Sequence, residues 1–459
     1  MKDLTKGKIS TLILGFAIPV FLGNLLQLTY SLADTRIVGS FLGERSLAAV
    51  GATTTISNLI VGFLLGLANG FAIITAQKFG AGDKKRVRRS FAIALVLGVI
   101  VSAILILIGT VFINPILRFL NVPGKLFIEA KQYILIIIIG LWVTMFYDIL
   151  MAVMRAIGDT LTPLLILAIS VGLNIVLDLL FVAVWKTGTW GAAAATVLAQ
   201  FIALVICCFY MIHKYELLRL NKNDFKDLES KMIKEMLATG MSMGFMSSLV
   251  NIGSLTLQTA INKLGQEIIV AHTAARKITE IYMIMFSVFG QTMATFWPQN
   301  VAIVFGQTMA TFCGQNMGAG KVDRIKKGMK LAIIYTCVWS TFAMIVSYTI
   351  GPQLVHMVTG SHKDVVIVNA TNYLKFNTIF YYVPAVISIV RNVMQGIGDQ
   401  ITPLVSSGLE MVGKVVIAFT LVPLMGYAGV IVAEPIIWFI MVIPLIVQII
   451  RTPKLKANK

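Results

Sequence analysis

Met154-Arg-Ala-Ile-Gly-Asp-Thr-Leu-Thr-Pro-Leu164 returns 240 residues later as Met394-Gln-Gly-Ile-Gly-Asp-Gln-Ile-Thr-Pro-Leu404. Ile-Gly-Asp and Thr-Pro-Leu hold the same places in both copies, which marks an internal repeat. A second pair lies upstream of each. Gln77-Lys-Phe-Gly-Ala-Gly82, trailed by Arg86, Arg88 and Arg89, recurs as Gln315-Asn-Met-Gly-Ala-Gly320, trailed by Arg324, Lys326 and Lys327. Gly80-Ala-Gly82 reads as a tight turn and not as a phosphate cradle. It follows an apolar helix pattern instead of a strand, and no Gly-Lys-Ser/Thr follows it.

Around these loops lie apolar stretches long enough to cross a bilayer. The first set covers residues 10–38, 47–77, 90–116, 128–154, 163–185 and 190–213. The second covers residues 235–262, 268–313, 328–351, 367–395, 402–424 and 428–450. The chain is thus predicted to be an all-α integral membrane protein with twelve transmembrane helices. They form two six-helix bundles, residues 1–213 and 235–459, joined by a polar linker at 214–234. The repeated loops follow the second and fourth helix of each half, so the halves read as pseudo-symmetric parallel repeats about an axis along the membrane normal.

Composition agrees. Hydrophobic residues make up 58% and charged residues 13%, about half the charge of a soluble domain, with a mean hydropathy of +0.87. The net charge is +18, and about two-thirds of the 38 Lys and Arg fall in residues 2–8, 78–89, 214–234, 321–330 and 451–459, with Arg155 and Arg391 added. Basic residues in alternate loops predict both termini on the cytoplasmic side of a plasma or inner membrane. The basic stretches are short and lack interleaved aromatics, which argues against nucleic acid as a partner. The first apolar stretch is too long for a signal-peptide core. Four cysteines and four histidines without ligand spacing predict neither a disulfide framework nor a metal centre.

Ionisable residues inside the membrane are expensive and usually functional. The first half offers Asp34, Asp148 and Asp178. Asn174 and Asp178 are four apart and share a helix face, as do Thr196 and Gln200. Asp34, Asn174, Asp178 and Thr196 would together supply two carboxylates and neutral oxygens. That set suits Na⁺, a hard cation that takes oxygen ligands. It equally suits a proton, because carboxylates kept from water hold one more readily. In the second half Glu410 and Lys414, and likewise Arg276 and Glu280, are spaced as i,i+4 ion pairs. Asp148 lies seven residues before Arg155 and reads equally as a structural charge.

The repeated Gly-Ala-Gly loops, the repeated Gly-Asp-x-x-Thr-Pro loops and Ala33-Asp-Thr-Arg-Ile-Val-Gly39 resemble those of the multidrug and toxic compound extrusion (MATE) family of secondary transporters, over essentially the whole chain. The resemblance implies efflux of organic, cationic or amphipathic compounds by H⁺ or Na⁺ antiport through alternating access. It implies no enzyme activity, no cofactor beyond the coupling ion, small organic molecules and the bilayer as partners, and a monomer. It also implies a cation site at Asp34, Asn174, Asp178 and Thr196, and a helix-1 hinge at Pro19. The second half departs from branches that bind Na⁺ through acids there: alignment on the repeats sets Lys414 and Ala418 opposite Asn174 and Asp178, and Thr256 opposite Asp34. A flippase for lipid-linked precursors, of similar architecture, is the alternative.

One segment breaks the repeat. Val288-Phe-Gly-Gln-Thr-Met-Ala-Thr-Phe296 is duplicated letter for letter at residues 304–312, a 16-residue unit. The spacing from Gly43 to Gly80 and from Gly265 to Gly318 differs by the same 16 residues. A helix of about 45 residues would reach roughly 68 Å, far beyond a hydrocarbon core of about 30 Å. A break near Pro298 is predicted, with one copy spanning and the other displaced. The segment reads as a tandem duplication and not as a gate.

Overall fold

A computed structural model describes residues 3–455, apart from 120, 121, 123, 227–228, 263, 265–267, 269–270, 273–274, 276–299 and 360–362. The described residues form α-helices with a few 3₁₀ turns and no strand. The chain divides into two compact units. The first comprises residues 1–6, 18–245 and 318–320; the second comprises 7–17, 246–317 and 321–459.

The first two predicted spans are one element, α1 (Ile9–Gly80), continuous except at Gly43, where φ 82 and ψ 177 break the helical path. The expected loop at residues 38–47 is thus reduced to one residue. No proline or cluster of turn formers stops the helix there, and only glycine accepts that φ cheaply. After α1 come α2 (Lys84–Phe119), α3 (Gly124–Ile139) and α4 (Leu141–Ala156). The predicted single span at 128–154 is broken: α3 and α4 bend by 45° at Gly140. A Cβ on Gly140 would lie 2.5 Å from Val197, so the bend forms where a side chain would not fit. α5 (Leu161–Asp178) passes into a π-helical turn at Leu179–Val184, and α6 (Thr189–Lys214) completes the set.

α7 (Ser230–Asn262) begins in the first unit and ends in the second. α8 (Asn300–Gly318) carries the second copy of the duplication, with Thr308, Met309, Ala310 and Phe312 buried. The first copy and the break expected at Pro298 lie outside the described residues. α9 (Val322–Thr359) kinks at Ile350, two residues before Pro352. α10 (Asp364–Ile379) and α11 (Tyr382–Gly396) form a second bent pair, at 55°. α12 (Ile401–Phe419), the short α13 (Leu421–Met425) and α14 (Tyr427–Arg451) follow.

Among the described residues eight helices are long and apolar enough to cross a membrane, ten if each bent pair counts as one span. The other two of the expected twelve are α7, whose Ser, Thr and Gly content dilutes its hydropathy, and the eighth span, much of which lies outside the described residues.

The repeated Gly-Asp-x-x-Thr-Pro loops have a physical explanation. Gly158 and Gly398 take φ 84 and φ 80 and end their helices. Each following aspartate then caps the next helix. Asp159 Oδ1 accepts from the Thr162 N–H at 3.0 Å and Oδ2 from the Thr162 hydroxyl at 2.8 Å. Asp399 makes the same two bonds to Thr402, at 3.1 and 3.0 Å. Each aspartate is also tied to the end of its half: Asp159 by Tyr215 and by Lys214 at 3.5 Å, Asp399 by Gln448 at 3.1 Å.

Partial burial pushes the Asp159 carboxyl up. The Tyr215 hydroxyl, the Thr162 N–H and hydroxyl and the Lys214 charge together outweigh burial and hold it below the usual carboxylate range. A depressed folded-state pKa stabilises above the ordinary aspartate value and is lost as pH falls through the folded one. Asp159→Ala should therefore lower thermal stability at neutral pH, by about 1 kcal/mol for the lost cap. The gap between mutant and wild type should close below about pH 4, read by thermal melts of the detergent-solubilised protein across pH.

Two charges counted with the loops are not there. Arg155 lies in the last turn of α4 and donates to Asn69 Oδ1 at 3.2 Å. Arg391 lies within α11 with its side chain 12% exposed. The trailing basic residues of the first Gly-Ala-Gly loop do sit among polar connections: Arg86 and Arg89 reach Glu229 at 3.3 and 3.4 Å, and Arg88 reaches Asp224 at 3.6 Å.

Candidate functional site

In the first unit three helices bring oxygen-bearing side chains together. α1 supplies Tyr30 and Asp34, four residues apart and so on one face. α5 supplies Asn174 and Asp178 on one buried face. α6 supplies Thr196. The Tyr30 and Thr196 hydroxyls share a hydrogen bond of 3.1 Å, which joins α1 to α6. With the Asn174 amide oriented to satisfy its neighbours, its Nδ2 donates to Asp178 Oδ2 at 2.8 Å and its Oδ1 accepts from the Thr196 N–H at 3.2 Å. The Thr196 hydroxyl also reaches the Ala192 carbonyl, at 3.1 Å.

The two carboxylates lie within electrostatic reach of each other, and both act on Tyr30 and on Tyr133 of α3. Asp34 Oδ1 and Asp178 Oδ1 are buried and, among the described residues, have no hydrogen-bond partner. Unpaired carboxylate oxygens away from water cost several kcal/mol in charged form unless a cation or a proton meets them. Nearby stand three neutral oxygens: the Tyr30 and Thr196 hydroxyls and the Asn174 amide. Hard oxygens of this kind suit an alkali cation, and the carboxylates alone suit a proton.

Local backbone contributes. The π turn begins at the residue after Asp178, and such turns recur at functional sites because they widen the helix. It is closed by Trp185 N–H to the Leu180 carbonyl at 2.9 Å and by Thr187 N–H to the Phe181 carbonyl at 3.0 Å.

Of the four residues expected to form the site, Asn174, Asp178 and Thr196 are joined by hydrogen bonds, and Asp34 lies one turn from Tyr30, which bonds to Thr196. Sequence reading missed Tyr30 and Tyr133; the i,i+4 spacing of Tyr30 from Asp34 was the available signal. The other candidates lie elsewhere. Gln200 accepts from the Thr144 hydroxyl of α4 at 2.8 Å. Asp148 has Arg155 as its charged neighbour. Pro19 sits inside α1 without stopping it. In the second unit Lys414 and Glu410 do form an ion pair, at 2.9 Å. Arg276 and Glu280 lie outside the described residues.

Comparison with known proteins adds an independent line. The MatE family model matches residues 19–180 and 242–420, most of the chain. The chain is 30% identical over 305 residues to the "Probable multidrug resistance protein YpnP" of Bacillus subtilis, covering 66% of this chain and 67% of that one. It is 23% identical over 355 residues to the "FAD transporter" of Shewanella oneidensis, covering 75% and 74%. Its fold is similar to that of a solved outward-facing multidrug resistance MATE family transporter of the MOP superfamily, with a TM-score of 0.85 at 22% identity over 99% of each chain.

Proposed function

The chain belongs to the MatE family, and on that premise we propose that it exports small organic compounds across the cell membrane in exchange for H⁺ or Na⁺. The observation that carries the proposal is the pair of buried, partnerless oxygens on Asp34 and Asp178. Two carboxylates that cannot both stay charged and unpaired will favour whichever protein state lets an ion reach them. A ligand shifts a conformational equilibrium only by its differential affinity for the two states, and this pair supplies such a difference. Alternating access follows: ion entry from outside biases the protein toward one state, and ion release to the cytoplasm resets it. Both termini face the cytoplasm in this reading, and the protein works as a monomer.

Asn174 has a separate role. By donating to Asp178 Oδ2 and accepting from the Thr196 N–H it fixes the carboxylate that Asp34 repels. A hydrogen bond to a charged group is worth about 1.5–3 kcal/mol. Asn174→Ala leaves the charged carboxylate less satisfied, so under H⁺ coupling it should lower the half-saturating H⁺ concentration by about 10- to 100-fold while the maximal efflux rate changes less. Ion titration of efflux in proteoliposomes reads both quantities.

The flippase alternative shares this architecture, but the relatives described above are named for drug resistance and FAD transport. Transport by the efflux route, read as dye uptake into inside-out vesicles with a pH gradient and a Na⁺ gradient imposed separately, tests the proposal and assigns the ion. Efflux of amphipathic dyes should follow one gradient or both. Efflux indifferent to both would end the antiport reading.

A further inference from the structure

The second unit buries a charged cluster centred on α12, at the register of Asn174 and not of the two carboxylates of the first unit. Superposing the repeated loops sets Lys414 opposite Asn174 and Glu410 opposite Ser170. Lys414 Nζ donates to Glu410 Oε1 at 2.9 Å and to the Ser254 hydroxyl of α7 at 3.0 Å. From α11, Arg391 Nη2 donates to the Ser406 hydroxyl at 3.0 Å and stands 3.9 Å from Glu410 Oε2. Among the described residues two cations therefore flank one carboxylate, and the cluster there carries net positive charge.

That excess is costly inside a membrane protein, where charges normally balance. The donors are also underused. Among the described residues the buried Arg391 Nε has no partner, and Lys414 spends two of its three N–H bonds on Ser254 and Glu410. The side chains of Arg391 and Glu410 are 12% exposed and that of Lys414 is 9% exposed, so the cluster is recessed without being sealed. A guanidinium fork beside an ammonium is the donor set that recognises carboxylate and phosphate oxygens.

We propose that Arg391 and Lys414 bind one oxyanion group, a carboxylate or phosphate, of the transported compound. The proposal rests on the transporter reading and deepens it: the substrate range includes amphipathic acids as well as cations. Glu410 holds the two donors apart and ready, and the substrate oxyanion supplies the charge that the cluster lacks.

Fluorescein and fluorescein methyl ester, which differ in that one carboxylate, are titrated against purified protein in detergent and followed by anisotropy. Wild type should prefer the acid by at least about tenfold, one charge-assisted contact. Arg391→Met, which retains the Lys414–Glu410 pair, should bind both dyes alike. Should that variant fail to stay monodisperse, Arg391→Lys keeps the charge without the fork, and its preference should fall severalfold. Millimolar inorganic phosphate should displace fluorescein from wild type. Equal binding of acid and ester by wild type, or an undiminished preference in the Arg391 variants, overturns the proposal. Phosphate that raises thermal stability without any preference for the acid also overturns it, because the cluster would then hold a free anion. No gradient is present in these titrations, so their failure and the failure of coupled efflux are separate outcomes.

Discussion

Asp34→Asn is expected to abolish gradient-driven efflux while leaving a folded protein. Asparagine keeps the size of the side chain and most of its hydrogen-bonding capacity, so packing along α1 is barely disturbed. The charge is gone, and with it the conflict with Asp178 that makes the ion matter. Moving a two-state equilibrium from 1:99 to 99:1 takes an affinity difference of about 10⁴-fold. One carboxylate out of two is a large part of any such difference. The rate of dye efflux under a pH or Na⁺ gradient should fall to the leak of protein-free vesicles. Monodispersity and melting temperature should stay near wild type, because removing a buried, partnerless charge costs the fold nothing. Asp178→Asn should likewise abolish gradient-driven efflux, with some loss of stability because the Asn174 bond to Oδ2 no longer meets a charge. Efflux at wild-type rate in either variant would take that residue out of the mechanism.

The second large effect is structural. Gly66 and Gly70 of α1 face Gly240 and Gly244 of α7, a pair of Gly-x-x-x-Gly sequences within the first unit. A Cβ on Gly70 would lie 2.5 Å from the Gly240 Cα, and one on Gly66 would lie 2.6 Å from the Met243 carbonyl oxygen. These are backbone atoms that can retreat only if the helices separate. The opposite side is more forgiving: a Cβ on Gly240 meets the Phe71 ring at 2.5 Å, and one on Gly244 meets the Phe63 ring at 2.8 Å. Small residues at membrane helix crossings let backbones pack this closely. Overpacking costs about 1–3 kcal/mol per site, so Gly66→Ala with Gly70→Ala should sharply reduce the yield of monodisperse protein. Gly240→Ala should cost less, since a ring can turn where a backbone cannot. Fluorescence-detected size exclusion after a heat challenge ranks the variants, and equal damage from both sides would contradict the crossing.

What could be read in advance was what is local. The repetition of the Gly-Asp-x-x-Thr-Pro loops was legible, and Asp159 and Asp399 make the same two bonds to Thr162 and Thr402. Asn174 and Asp178 share a face because four residues make about one helical turn, and Asp34 and Thr196 were grouped with them as polar residues inside the membrane, a set that the family resemblance also implies. Long-range pairing was not legible. All four glycines of the α1–α7 crossing are visible in the chain, yet nothing local states that 66 meets 244. Arg391 was counted as a loop charge because it lies five residues before Gly396, next to the turn that ends its helix. Its partners Ser406 and Glu410 lie on a different helix. The bend at Gly140 likewise depends on Val197, 57 positions away. The π turn after Asp178 left no trace in the periodicity, since one extra residue in an apolar run changes no polar pattern.

That extra residue gives α5 a degree of freedom its neighbours lack. An ordinary helix can re-aim a side chain only by twisting as a whole or by fraying. A helix that stores one surplus residue can pass it along by exchanging one carbonyl acceptor for the next, a step that swings the residue passed over by about 100°. Asp178 sits at the lip of that store, so the carboxylate can turn while Leu161 and the loop before it stay anchored by Asp159.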